Sequence, residues 1–159
     1  MSQFALVWIH LIAAVSWIGG MIFLSLVLAP SYRAMASKPD AGALFRATAR
    51  RFRLIVWGAA AVLLLTGPML VLSHGWPLFE PARWPSHLGL KLSLVVLLLL
   101  MTLAHDLVFG PRVRAILALP SDGRTASDQT ILTAATWLPR VALVLSLALL
   151  FAAVMLARS

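Results

Sequence analysis

Four apolar stretches, each bounded by proline, glycine or arginine, constrain this chain more than any other feature of its sequence. They are residues 4–29, stopped by Pro30; 54–72, between Arg53 and Ser73-His74-Gly75; 86–109, stopped by Gly110-Pro111; and about 136–157, whose uncharged part 141–157 lies between Arg140 and Arg158. At 1.5 Å per residue each can cross a hydrocarbon core of about 30 Å, the last one only just. Only 11% of the 159 residues are charged and 62% are hydrophobic, whereas a soluble domain carries about a quarter charged residues. So small a globule could not hide that much apolar surface. Backbone N–H and C=O groups have no water partner in lipid, so segments of this length must be helical. The expected fold is an all-α integral membrane protein, with residues 1–159 forming a single four-transmembrane-helix bundle.

The basic residues give the orientation. Segment 31–53 carries Arg33, Lys38, Arg46, Arg50, Arg51 and Arg53, and segment 111–140 carries Arg112, Arg114, Arg124 and Arg140. Together they hold ten of the thirteen basic residues. Excess Lys and Arg mark cytoplasmic loops, which predicts an N-out/C-out topology. The connection between the second and third helices has Glu80 and Arg83 with Trp76 and Trp84, as an interfacial aromatic belt on the other face would. The net charge of +8 is thus a topology signal, and no basic face interleaved with aromatics suggests nucleic-acid binding. The absence of cysteine excludes disulfides, thiolate metal sites and haem attachment through a Cys pair. The first apolar run lacks a basic n-region and is too long for a signal h-region, so it is read as a retained helix. Residues 41–53 and 127–137 have helix-forming composition and are expected to extend the second and fourth helices, Asp128 or Ser127 capping the latter. No internal repeat is strong enough to use.

Topology sorts the polar residues by depth. His10 lies six residues beyond Phe4, ~9 Å from the outer end of the first helix. His74 ends the second helix, His87 begins the third, and Lys91 is one turn deeper. Met69 and Met155 belong to the same outer layer, while His105 stands near the opposite end of the third helix. His87, Lys91, Leu98, Thr102 and His105 fall within about 60° on one stripe at 100° per residue, and His10, Ala14, Trp17, Met21 and Leu24 form a similar one. Such stripes should face the bundle interior, because a charge facing lipid costs at least ~2.5 kcal/mol. Ala13, Ser16, Gly19 and Gly20 offer small surfaces for close helix packing.

His10 is the leading ligand candidate, since neutral imidazole binds copper, zinc and haem iron; the alternative is a histidine that only fixes helix packing. Lys91 either neutralises an anionic group such as a haem propionate or snorkels to the surface. His74, His87, Met69 and Met155 are either co-ligands, the methionines being soft donors suited to Cu(I), or ordinary interfacial and packing residues. His105 and Asp106 form either a proton-handling pair or a helix end in which Asp106 meets Arg112 or Arg114. No HExxH, Walker loop, GxGxxG or Ser-His-Asp arrangement is present, and no enzymatic reaction is assigned.

The run WIHLIAAVSWIGGMIF (8–23), with Thr66-Gly67, Lys91-Leu92 and HDLVFGPR (105–112), resembles the CopD domain of copper resistance and transport. It is more distantly similar to the HemJ-type protoporphyrinogen oxidases, small four-helix haem proteins with a first-helix His followed by Trp and Gly and a Lys early in the third helix. The first resemblance implies a multi-pass protein of the bacterial inner (cytoplasmic) membrane that holds copper near the periplasmic face. His10 would be the central ligand, with His74, His87, Met69 and Met155 as co-ligands and a periplasmic metal carrier as partner. The second implies haem b with His10 as one axial ligand, His74, His87 or a methionine as the other, Lys91 facing a propionate, and Trp17 and His105 as further cofactor-site residues, serving porphyrinogen oxidation or electron transfer to quinone. A third reading is an accessory subunit within a homo-oligomer or larger membrane complex.

Overall fold

The computed structural model describes residues 2–35, 41–120 and 123–158. Lys38, one of the basic residues that orient the chain, lies outside them. All regular structure among the described residues is helical. The chain divides into two compact units, Met1–Pro85 and Ser86–Ser159, each a helical hairpin.

In the first hairpin, α1 (Gln3–Ile22) runs into a π turn (Phe23–Leu28) and a short α2 (Ala29–Ala34), and α3 (Ala41–Ser73) returns along it. Ser2 caps α1 by accepting the Ala5 N–H at 3.3 Å. In the second, α4 (Ser86–Leu103), a π turn (Ala104–Phe109) and α5 (Gly110–Leu117) form the outgoing rod, and α6 (Ala126–Arg158) returns. These are the four helices long and apolar enough to cross a membrane, and the all-α architecture is that of a four-span membrane protein. Phe4, Val15, Leu54, Leu65, Val144 and Phe151 are each about two-thirds or more exposed. Water would punish such a surface; lipid does not.

The rods run further than their prolines suggest. Pro30 and Gly110-Pro111 were expected to end the first and third helices, yet helix continues to Ala34 and Leu117. Proline inside an α-helix lacks a donor and its ring strikes the carbonyl four residues back. Here a π turn precedes each proline: Ala29 N–H bonds to the Leu24 carbonyl and Gly110 N–H to that of His105, five residues back instead of four. The wider turn re-aims the carbonyls ahead of the ring, and the chain stays helical.

The two devices share a plan that the sequence alone did not bring out as a repeat. Leu26-Val27-Leu28-Ala29-Pro30 and Leu107-Val108-Phe109-Gly110-Pro111 occupy the same places in the two rods, and Arg33 and Arg114 follow at the same spacing. Each rod returns through a helix of 33 residues.

The predicted extensions of the second and fourth helices are present as the first turns of α3 and α6. The cap of α6 is Thr125, not Ser127 or Asp128. Asp128 Oδ2 accepts from Thr125 N (2.9 Å) and Oγ1 (2.8 Å), while Thr125 Oγ1 accepts the Asp128 N–H (3.2 Å). This reciprocal pairing places the cap three residues before its acidic partner.

Small residues carry the packing inside each hairpin. Ala13, Ala59, Ala60 and Thr66 are buried in the first and Ala142, Ser146 and Ala152 in the second, where Leu98 and Ser146 are wholly inaccessible. Lipid provides no hydrophobic drive between helices, so close approach over small side chains supplies the attraction. Of the glycines expected to serve this purpose, Gly20 does: the Phe52 ring of α3 fills the space a Cβ would need. Gly19 has nothing within 4 Å of that position and is exposed.

Candidate functional site in the first hairpin

His10 is held by its returning helix. Its Nδ1 lies 2.7 Å from Thr66 Oγ1, and Thr66 Oγ1 donates its own proton to the Val62 carbonyl at 2.7 Å. With that proton committed, Thr66 can only accept, so His10 Nδ1 carries the hydrogen. In the neutral imidazole the lone pair is then on Nε2. The ring edge packs against Gly67, where a Cβ would meet His10 Cε1 at 3.9 Å. Thr66 is itself buried, and its bond back to Val62 is the helical habit of threonine. Thr66 thus acts as a seat: its hydroxyl fixes ring rotation and tautomer, with Gly67 alongside the ring edge.

Two turns along the same stripe, Trp17 is 2% exposed. Its indole Nε1 is buried with no hydrogen-bond partner among the described residues. The first-helix stripe of His10, Ala14, Trp17, Met21 and Leu24 contains no exposed residue, so this face is covered as its polarity requires.

Other candidates in this hairpin sit differently. His74 is exposed, donates from Nδ1 to the Leu70 carbonyl at 2.8 Å and stacks on Trp76 with centroids 5.0 Å apart. Its tautomer therefore matches that of His10, at the end of the helix instead of within it. Met69 is 49% exposed, on the outer surface.

In the second hairpin His87 is half-buried with Nδ1 3.3 Å from Ser86 Oγ, and Lys91 is half-buried with no ion pair among the described residues. His105 is exposed, and its Nδ1 lies 3.0 Å from Asp106 Oδ1 inside the π turn. Of the two readings of Asp106, the His105 pairing is present. Met155 is exposed. Among the described residues no three His, Asp or Glu side chains gather as a metal cluster.

One family matches residues 12–119, about two thirds of the chain. The chain belongs to the DUF4149 family, a domain of unknown function. No curated protein and no solved structure matches it. The DUF4149 match takes in Trp17, Thr66, Met69, His74, His87, Lys91 and His105, while His10 and Met155 fall outside its limits. Thr66 is the residue that sequence reasoning passed over as a site member. Its signals were its place in the Thr66-Gly67 element of the CopD resemblance and a hydroxyl in an otherwise apolar span, and threonine satisfies itself within a helix so readily that the second is weak.

Proposed function

We propose that this DUF4149 protein binds a metal centre through His10 Nε2, and that it is a CopD-type copper-handling protein of the bacterial inner membrane. The arginine-rich ends of the hairpins would lie in the cytoplasm and both termini outside, which sets His10 in the outer part of the membrane. The observation carrying this reading is the relay from His10 Nδ1 through Thr66 Oγ1 to the Val62 carbonyl. Metal-bound histidines almost always donate their other ring nitrogen to an oxygen, which fixes the ring and raises ligand basicity. Copper suits imidazole with soft donors, and the CopD resemblance points to it. A periplasmic metal carrier would be the exchange partner.

One observation favours haem b as a second reading. The described residues offer His10 as an imidazole oriented within a span and no cluster of three. A porphyrin brings its equatorial nitrogens with it and needs only axial donors from the protein. Under this reading His10 is the axial ligand, and the protein passes electrons between a porphyrinogen or another donor and quinone.

The detergent-purified protein separates the two. Copper near one equivalent by elemental analysis, absent from His10→Ala and without a Soret band, supports copper. A Soret band lost in His10→Ala replaces copper with haem. If metal-supplemented protein binds neither, or if His10→Ala binds as well as wild type, the proposal fails.

A further inference from the structure

The first turns of α3 carry arginines whose number serves topology but whose spacing neither topology nor the metal site requires. The apolar part of the helix, 54–72, accounts for ~28 Å of its ~50 Å length, so 41–53 projects past the hydrocarbon. On that projection Arg46, Arg50 and Arg53 recur at i, i+4 and i+7 and so share one stripe; all three are exposed, as is Arg51 beside them. No acidic residue occurs in 41–53. Among the described residues the ion pairs are Arg83–Glu80 and His105–Asp106, so no described acidic side chain forms an ion pair with these arginines. Their scaffold is nonetheless fixed. Phe45 stacks on Tyr32 of α2 at 4.6 Å, Phe52 fills the space over Gly20, and the Arg46 guanidinium lies over Gly42, 3.1 Å from where a Cβ would stand.

We infer that this stripe is a binding site for anionic phospholipid headgroups of the adjacent leaflet. Guanidinium groups grip phosphate oxygens in pairs, and three of them one turn apart on a braced helix form a ladder at headgroup depth. The apolar neighbours select a lipid over a soluble phosphate. Leu54, one turn beyond Arg50, is 71% exposed, and Trp57 lies one turn beyond Arg53, as interfacial tryptophans do. A free phosphate would answer the charge and leave Leu54 uncovered, whereas a phospholipid covers both. The corresponding turns of α6 carry Asp128 and Arg140 and make no such ladder, so the site belongs to the first hairpin alone.

Native mass spectrometry of the full chain, released from bilayers of equal phosphatidylcholine and phosphatidylglycerol, tests the inference. Wild type retains phosphatidylglycerol over phosphatidylcholine by about fivefold or more, the factor expected from even one arginine near a charged surface. The Arg46→Gln/Arg50→Gln/Arg53→Gln variant loses the preference, while Arg112→Gln/Arg114→Gln keeps it. Should the triple variant lose helix content by circular dichroism, the single variants Arg46→Gln and Arg50→Gln decide, each lowering the preference. Equal retention of the two lipids by wild type, or a preference untouched by these substitutions, overturns the site. Displacement of the lipid by millimolar inorganic phosphate reassigns it to a soluble anion and overturns the lipid reading. None of these outcomes depends on metal at His10.

Discussion

The two hairpins are built on one plan and furnished differently. Each sends out an apolar rod, passes a proline by means of a six-residue π turn, and returns through a helix of 33 residues. His10 stands twenty residues before Pro30, and Lys91 twenty before Pro111. At that shared register the first hairpin has an imidazole seated on Thr66 of its own return helix, and the second has an ammonium with no ion pair among the described residues. The π turns differ in the same manner: Leu24 and Ser25 in the first correspond to His105 and Asp106 in the second. Backbone devices are therefore held in common, and the polar side chains laid over them differ.

The sharpest way to break that contrast is to remove each register residue in turn. His10→Ala is expected to abolish metal or haem binding outright, read by elemental analysis and the Soret band, while Lys91→Met leaves the stoichiometry near wild type. Equal losses would show that the hairpins contribute alike. Thr66→Val sharpens the same comparison at smaller cost. It keeps the side-chain shape, removes the acceptor for His10 Nδ1–H, and should lower metal affinity 10–100-fold, the usual penalty for losing an outer-shell partner of a ligating histidine. Thr66→Ser restores the hydroxyl and most of the affinity. An unchanged affinity in Thr66→Val would mean that the seat does not orient the ring.

Packing offers the next contrast, of smaller size. In Gly20→Ala the new methyl overlaps the Phe52 ring, and overpacking of this kind costs roughly 1–3 kcal/mol. Gly19→Ala, one residue away, and Gly89→Ala, in the second hairpin, meet nothing within 4 Å and should stay within about 0.5 kcal/mol of wild type or gain from the helix propensity of alanine. Thermal or denaturant unfolding in mild detergent orders the three. A neutral Gly20→Ala would mean that Phe52 swings aside and does not lock α3 to α1.

The four spans were legible from the sequence because hydropathy acts over twenty residues at a time, and errors of a few residues do not blur it. Helix ends at prolines were not legible. A proline reads as a stop when the ladder is assumed to run i to i−4, and nothing in 23–28 or 104–109 announces a shift to i−5. The first-helix stripe was readable from periodicity, as the covered positions of Ala14, Trp17 and Met21 show. What periodicity could not supply was the other half of each contact. Thr66 opposite His10 and Phe52 over Gly20 lie 56 and 32 residues away along the chain, and only the register of one helix on another brings them together. The exposure of Met69 and Met155 has the same origin: depth in the membrane was inferred for both, and depth says nothing about which way a side chain faces.

The smallest expected effect concerns the two long return helices, which begin in different ways. The start of α6 is closed by the reciprocal Thr125–Asp128 pair, whereas the first turn of α3 contains no acidic residue. In Thr125→Ala the Asp128 N–H loses its side-chain acceptor and Asp128 keeps only the backbone N–H of residue 125, a loss expected to cost about 1 kcal/mol. Ser127→Ala removes no capping bond and should be neutral. Because α6 continues into an apolar span, the loss should be confined to its first turns. Hydrogen exchange is therefore the better measurement: amides near Ala126 to Thr130 should exchange about fivefold faster in Thr125→Ala, while those beyond Arg140 keep wild-type protection. Faster exchange spreading into the apolar span would mean that the cap stabilises the whole helix, and equal effects of Thr125→Ala and Ser127→Ala would refute the assignment of the cap.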